Sequence, residues 1–215
     1  MQAIQGQAAK VAVIYYSATG TTYELAKAIV EGAEATGAEV RLRKAKELAP
    51  ESAIQSNEGW SKHRLETQDV SEATNDDLEW ADAIIFGTPT RYGLPAAQIK
   101  QLIDGTGGLW AQGKLVDKVF SSFVTVATGH GGHETTLAAL NNVAYHWGSI
   151  IVAPGYADPI QFQAGNPYGA SFTSNNGELS PDETALASAR FQGRRVAETT
   201  AKLIGAPVRE LAGVN

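Results

Sequence analysis

Apolar residues of this 215-residue chain gather into five short runs, and between the runs they recur at helical spacing. Val11–Tyr16, Ala83–Gly87, Lys118–Thr128 and Ser149–Ala153 are rich in β-branched, aliphatic and aromatic residues, the signature of buried strands. Glu39–Arg43 alternates charged and apolar positions, which predicts an edge or half-exposed strand. Leu25, Ala26, Ile29, Val30 and Ala33 form one face of a helix that Gly37 ends. Ile99, Leu102 and Ile103 do the same for a helix stopping at Gly105, and Leu137, Leu140, Val143 and Ala144 for one over Thr135–His146. A short helix is expected at Asn75–Trp80. A long one opens at Ser180 as N-cap, with Pro181 at the first helical position, and runs to about Leu203. Strands alternating with helices five times predict an α/β fold: a doubly wound, five-stranded parallel sheet with helices on both faces.

The polar stretches divide the chain. Residues 10–204 read as one domain, with residues 1–9 and 205–215 as tails. Within the domain, Lys44–Asp77 reads as a polar insertion carrying a turn or two of helix, which Trp60 pins to the body. Pro154–Ser180, rich in Gly, Pro, Asn and Ser, reads as a long loop, and Gly107–Trp110 as a loop presenting a large aromatic.

In doubly wound folds ligands bind beyond the carboxyl ends of the strands, and three unusual loops fall there: Ser17–Thr22, Thr88–Pro95 and Thr125–Glu134. The first follows a strand and precedes a helix. Thr21 and Glu24 have the spacing of a capping box, with Thr21 as N-cap. Unpaired N–H groups and the macrodipole favour an anion at such an N-terminus. No Lys or Arg lies between Val11 and Ala26, so this is not a Walker A loop. Gly20 is the one glycine there, so it is not a dinucleotide fingerprint either. What remains is a cation-free cradle of Ser17, Thr19, Thr21 and Thr22, suited to a phosphate monoester held by neutral donors; a well-capped βα turn would carry the same residues. The Pro-rich and Gly-rich loops offer backbone groups to a flat polar heterocycle, with Tyr92 available to stack. Arg91 either favours negative charge on that ring or on incoming phosphates, or forms a surface ion pair.

Composition narrows the chemistry. A formal charge of -6 argues against nucleic-acid binding by electrostatics. The absence of cysteine excludes thiolate catalysis, Cys-ligated zinc and a CxxC couple, so redox chemistry would have to come from a cofactor. The first ten residues lack the marks of a signal peptide, and no apolar run is of membrane-spanning length, so a cytoplasmic protein is expected. His130, His133 and Glu134 suggest metal ligands, but Leu137 stands where a zinc-protease motif needs its second histidine. His146, at a helix end, suits the negative pole of the helix dipole.

Several segments in order resemble the flavodoxin-like NAD(P)H:quinone oxidoreductases of the tryptophan-repressor-binding-protein (WrbA) family. They are Tyr15–Gly20, Ile84–Gly93, Gly107–Trp110, Gly131–Thr136, Ala144–Gly148 and Asn166–Ala170. The resemblance spans about Lys10 to Leu203 and implies FMN, with NADH or NADPH as hydride donor and a quinone as acceptor. It places the phosphate at Ser17, Ala18, Thr19, Gly20, Thr21 and Thr22, and the isoalloxazine along Thr88, Pro89, Thr90, Arg91 and Tyr92. Thr125, Val126, Ala127, Thr128, Gly129, Gly131 and Gly132 would form the opposite wall, with His146 at the pyrimidine side or near the quinone. His146, Tyr92 and Arg91 become the catalytic candidates, His146 and Tyr92 guiding the quinone and the imidazole supplying a proton. A homotetramer is implied, in which Trp110 of one subunit closes another's flavin pocket. Hydride delivery to flavin N5, followed by quinone reduction on the same face, implies ping-pong kinetics. Tyr92 stands where most relatives carry Phe, and His133 where many carry Gln; both bear on quinone preference and pH dependence rather than on FMN binding. Two alternatives remain: a one-electron flavodoxin-type carrier, and an FMN-binding regulatory protein without turnover.

Overall fold

The structure is a computed structural model that describes residues 8–205. The tails expected at 1–9 and 205–215 therefore lie outside the described residues, apart from Ala8, Ala9 and Gly205. Ala9 is buried, and its carbonyl accepts the Glu39 N–H at 2.8 Å, so it already belongs to the body.

The chain runs β1 (Lys10–Tyr15), α1 (Thr21–Glu34), β2 (Glu39–Lys44), α2 (Glu51–Gln55), α3 (Glu58–Glu66), α4 (Asn75–Trp80), β3 (Ala83–Arg91), β4 (Leu94–Pro95) and α5 (Ala97–Asp104). It continues through α6 (Gly107–Ala111), β5 (Val119–Val126), α7 (His133–Trp147), β6 (Ile150–Ile151), α8 (Pro159–Ala164), β7 (Ser171–Thr173) and α9 (Glu183–Ile204). The sheet order is β2-β1-β3-β5-β6, and these strands are parallel, as the alternation predicts.

Both faces of the sheet are covered because the central strands are apolar on both. Val11, Val13 and Tyr15 of β1 pack with Leu25 and Ile29 of α1 and Val196 of α9 on one side. Ala12, Ile14 and Tyr16 pack with Ile99, Leu140 and Trp147 on the other. Glycines set how closely α1 and α9 approach: a Cβ at Gly193 would lie 2.0 Å from the Ile29 carbonyl oxygen, and one at Gly32 1.9 Å from that of Arg190.

The structure departs from the sequence reading at five places. The apolar run at Ala83–Gly87 extends as a strand to Arg91 and turns back as an antiparallel hairpin with β4, so Thr88–Pro95 is largely strand rather than a loop beyond it. Gly107–Trp110 lies in the short helix α6. Pro154–Ser180 contains α8 and β7, and the last sheet position is shared: β6 pairs with Val119–Phe120 of β5, and β7 with Val124–Val126. The 44–77 segment carries two helices, α2 and α3, ahead of α4, where one or two turns were expected. The final helix is capped by Asp182, whose carboxylate accepts the Ala185 N–H at 2.8 Å, rather than by Ser180. No helix among the described residues is long and apolar enough to cross a membrane.

Candidate functional site

Where β1 ends, the chain turns within five residues into α1. Ser17 Oγ accepts the Gly20 N–H at 3.0 Å and closes this turn. Gly20 occupies the N-cap with φ 103°, a left-handed conformation that glycine adopts without steric cost. This corrects the capping box: Thr21 is the first helical residue, and no side chain caps the helix. Glu24 pairs with Lys27 at 2.9 Å instead of reaching back. The helix therefore meets the rim with its N-terminal N–H groups uncapped by side chains. The buried Thr22 hydroxyl meets that of Thr125 at 2.7 Å, tying the first loop to the end of β5.

The second loop is the β3–β4 hairpin. Tyr92 (φ 55°) and Gly93 (φ 79°) are its two central residues, and positive φ at both matches a type I′ turn. Thr88 is buried; its hydroxyl accepts the Ala96 N–H at 2.9 Å and donates to the Pro89 carbonyl. Thr90 shares a hydrogen bond with Thr136 at 2.8 Å and accepts the Gly93 N–H. Tyr92 is fully exposed at the tip. Arg91 Nη1 donates to the Thr90 carbonyl and makes no ion pair among the described residues, so the surface ion pair considered for it is not formed.

The third loop leaves β5 after Val126 and enters α7 at Gly132. Gly132 (φ 100°) backs onto the hairpin: a Cβ there would lie 2.8 Å from Gly93 Cα. The three loops enclose one cavity of about 580 Å³. Ser17, Ala18, Thr19, Thr21 and Thr22 line it from the first, Pro89 to Tyr92 from the second, and Thr125 to Thr128 with Gly131 from the third. Gly20, Thr88, Gly129 and Gly132 belong to these loops but do not line the cavity.

Five lining residues were not anticipated: Asn57 and Trp60 from the polar insertion, and Ser174, Asn176 and Gly177 from beyond β7. The two segments close over Thr19. A Cβ at Gly177 would lie 2.7 Å from Thr19 Oγ1, and one at Gly59 3.7 Å from its methyl. Trp60 is both anchor and wall, its indole N–H donating to Glu47 at 3.1 Å. Glu47 also accepts from the Tyr16 hydroxyl at 3.1 Å, Gln98 Nε2 at 2.9 Å, and the N–H groups of Leu48 and Ala49. Partial burial pushes this carboxyl up, and the hydrogen bonds from Ala49, Gln98, Leu48 and Tyr16 outweigh it, leaving it below the usual range. Burial and the Glu47 charge raise the Tyr16 phenol, which stays a neutral donor.

Trp110 and His146 do not meet these loops within the chain. α7 starts at the rim and has 15 residues, so its last turn lies about 20 Å away at 1.5 Å per residue. There the exposed Trp110 indole donates to the His146 carbonyl at 2.9 Å. His133 lies behind the third loop, with Nε2 3.3 Å from Thr173 Oγ1, and burial holds it below the ordinary histidine range against the Glu134 charge. Among the described residues no group of three or more His, Asp or Glu is placed to hold a metal ion.

This rim can hold a phosphate on neutral donors and a flat ring between two backbone loops. The comparisons agree in kind. A family described as NADPH-dependent FMN reductase matches residues 9–162. An NAD(P)H dehydrogenase (quinone) of Deinococcus radiodurans is 46% identical over 197 residues, covering 91% of this chain and 98% of that protein. One from Brucella abortus (strain S19) is 46% identical over 202 residues, covering 91% and 99%. Among solved structures, a flavodoxin, WrbA-like protein from Agrobacterium tumefaciens is similar, with a TM-score of 0.63 at 29% identity over 91% of this chain and 99% of that one. An archaeal flavodoxin at 17% identity, with a TM-score of 0.60 over 89% and 98%, speaks to the fold alone.

Proposed function

The chain belongs to the NADPH-dependent FMN reductase family, and from that premise we propose that it is an FMN-dependent NAD(P)H:quinone oxidoreductase. The observation that carries this is the convergence of three loops on one cavity of about 580 Å³ with a hydroxyl-rich, lysine-free lining. The residues fit FMN. The turn at Ser17–Thr22 offers hydroxyls and uncapped helix N–H groups to a phosphate dianion, and Thr125 and the β3–β4 hairpin flank a ring-sized space. Bound there, FMN would supply two-electron chemistry between NADH or NADPH as hydride donor and a quinone as acceptor.

The chain's own groups bind and orient. Pro89, Thr90, Ala127 and Thr128 would present backbone to the isoalloxazine edges. Arg91, with no carboxylate partner among the described residues, would meet negative charge on the reduced ring or on the nicotinamide donor. Tyr92 stands at the open lip, its ring available to either substrate. Donor and quinone sharing the face beside Tyr92 would have to bind in turn, which is a ping-pong sequence.

Trp110 and His146 fit this scheme as a unit presented to a neighbouring copy. They are exposed, linked to each other, and distant from their own cavity, so a homotetramer would bring them to another subunit's flavin. There the imidazole would stand as proton donor to the quinone oxygen and the indole would keep water out. A cytoplasmic setting, which supplies both nicotinamide donors, completes the reading. Initial rates at several NADH and benzoquinone concentrations test it: parallel double-reciprocal lines are expected, and intersecting lines would contradict a shared face. Dilution that dissociates the oligomer should abolish quinone reduction; full activity of the monomer would remove the subunit-shared site.

A further inference from the structure

The phosphate turn contains no cation, yet a histidine that belongs to none of the three loops lies directly behind it. His63 of α3 is 5% exposed. Its imidazole packs against the carbon side of Gly20, so that a Cβ at Gly20 would lie 3.5 Å from Nδ1. The Tyr23 ring lies on another side, with centroids 5.4 Å apart. Neither ring nitrogen has a hydrogen-bond partner among the described residues. The ring also borders a second, polar cavity of about 120 Å³, room for about four waters. The buried Tyr15 hydroxyl, which has no partner either, lines the same space.

We propose that His63 is the cation of the phosphate cradle: a phosphate monoester seated on the turn draws a proton onto this imidazole, which then holds the dianion through the width of Gly20. The inference rests on the FMN reading above and adds a proton to it. The second cavity provides a path for that proton from solvent.

The charges around the ring pair off only in part before the ligand arrives. From its own helix, Glu66 favours the protonated ring, while Arg64 is engaged with Glu51. From α1, Glu24 and Lys27 oppose each other as a 2.9 Å pair. Lys44 at the end of β2 disfavours protonation, and Glu47 and Glu72 border the shared cavity. Burial dominates and holds the free imidazole below the ordinary histidine range. A bound dianion adds two further negative charges behind Gly20, and it raises the pKa. The resulting gain in affinity is full below the free-state pKa and is lost as pH rises through the bound-state value. The second ionisation of the ligand phosphate, near pH 6, works in the opposite direction, so the clean window lies above about pH 7.

The test is calorimetry of FMN and riboflavin binding to the full chain freed of flavin, in two buffers of different ionisation enthalpy at pH 7.5. Wild-type protein is expected to take up a fraction of a proton with FMN and none with riboflavin. His63→Gln is expected to lose the uptake and to bind FMN about tenfold more weakly, with riboflavin affinity unchanged. If the variant misfolds, proton NMR of the wild type decides: one imidazole resonance should titrate at higher pH once FMN is bound. Uptake that persists in His63→Gln, an equal loss of riboflavin binding, or no shifted imidazole would each overturn the role of His63. FMN binding without proton uptake strikes His63 alone, whereas failure of the wild type to bind FMN strikes the flavin reading and His63 with it.

Discussion

Ser17 uses its hydroxyl inside the turn, accepting the Gly20 N–H, rather than as a free ligand. Ser17→Ala should therefore loosen the turn as well as remove a donor, weakening FMN binding roughly fivefold, at the usual order of about 1 kcal/mol for one hydrogen bond. Flavin fluorescence quenching would measure this. Glu47 acts one layer further back, where its carboxylate joins Tyr16, Trp60 and Gln98. Its pKa is lowered in the folded state, so its contribution is present above the unfolded value near 4.5 and is lost as pH falls through the folded one. Glu47→Gln should accordingly be less stable than wild type at pH 7, with the gap closing below about pH 4.5 in denaturant titrations. Residue-level legibility was uneven. The hydroxyls of the first loop could be read because spacing and chemistry are local. The anchoring of the insertion by Trp60 was legible too, but Glu47 and the place of Trp60 in the cavity wall were not, since these depend on which distant segments fold over the rim.

At the scale of elements, the hairpin shows how a turn signal can be misread. Pro89 and Pro95 suggested an ordered, non-helical loop beyond the strand, yet Pro89 sits within β3 near its end and Pro95 on the short returning strand, where the ladder tolerates it. Tyr92 takes the first turn position at φ 55°, which is unusual for a bulky side chain. Tyr92→Asn should leave stability equal or slightly higher while raising the quinone KM, measured by melting and steady-state kinetics. A matched loss of stability would mean that Tyr92 serves the fold instead. The α1–α9 contact makes the opposite point, because small residues alone permit it. Gly193→Ala must push the two backbones apart, so a cost of about 2 kcal/mol and a drop of roughly 5 °C in Tm are expected. The parallel strands and most helices were legible because each hydrophobic period is a local property. The sharing of the last sheet position by β6 and β7 was not: Ser171–Thr173 is too short for periodicity to mark and is a strand through its pairing with β5.

At the scale of the whole molecule, the predicted site residues fall at two ends. The cavity lies at the carboxyl rim, and the linked Trp110 and His146 lie at the far end of α7. The sequence motifs carrying these residues told of one site, but a linear motif holds no information about which end of a helix faces which copy. Were both ends to serve one reaction, as proposed above, they could meet only between copies, and that is the physical sense of the proposed tetramer. The account stands or falls on two-electron transfer through bound FMN. Anaerobic spectral titration of the FMN-loaded protein with NADH, followed by benzoquinone, tests this most directly. The account predicts direct bleaching of the yellow flavin absorbance by NADH and its full return on adding quinone. An inert response to NADH, with a stable semiquinone formed by a one-electron donor, would contradict it and identify the protein as an electron carrier.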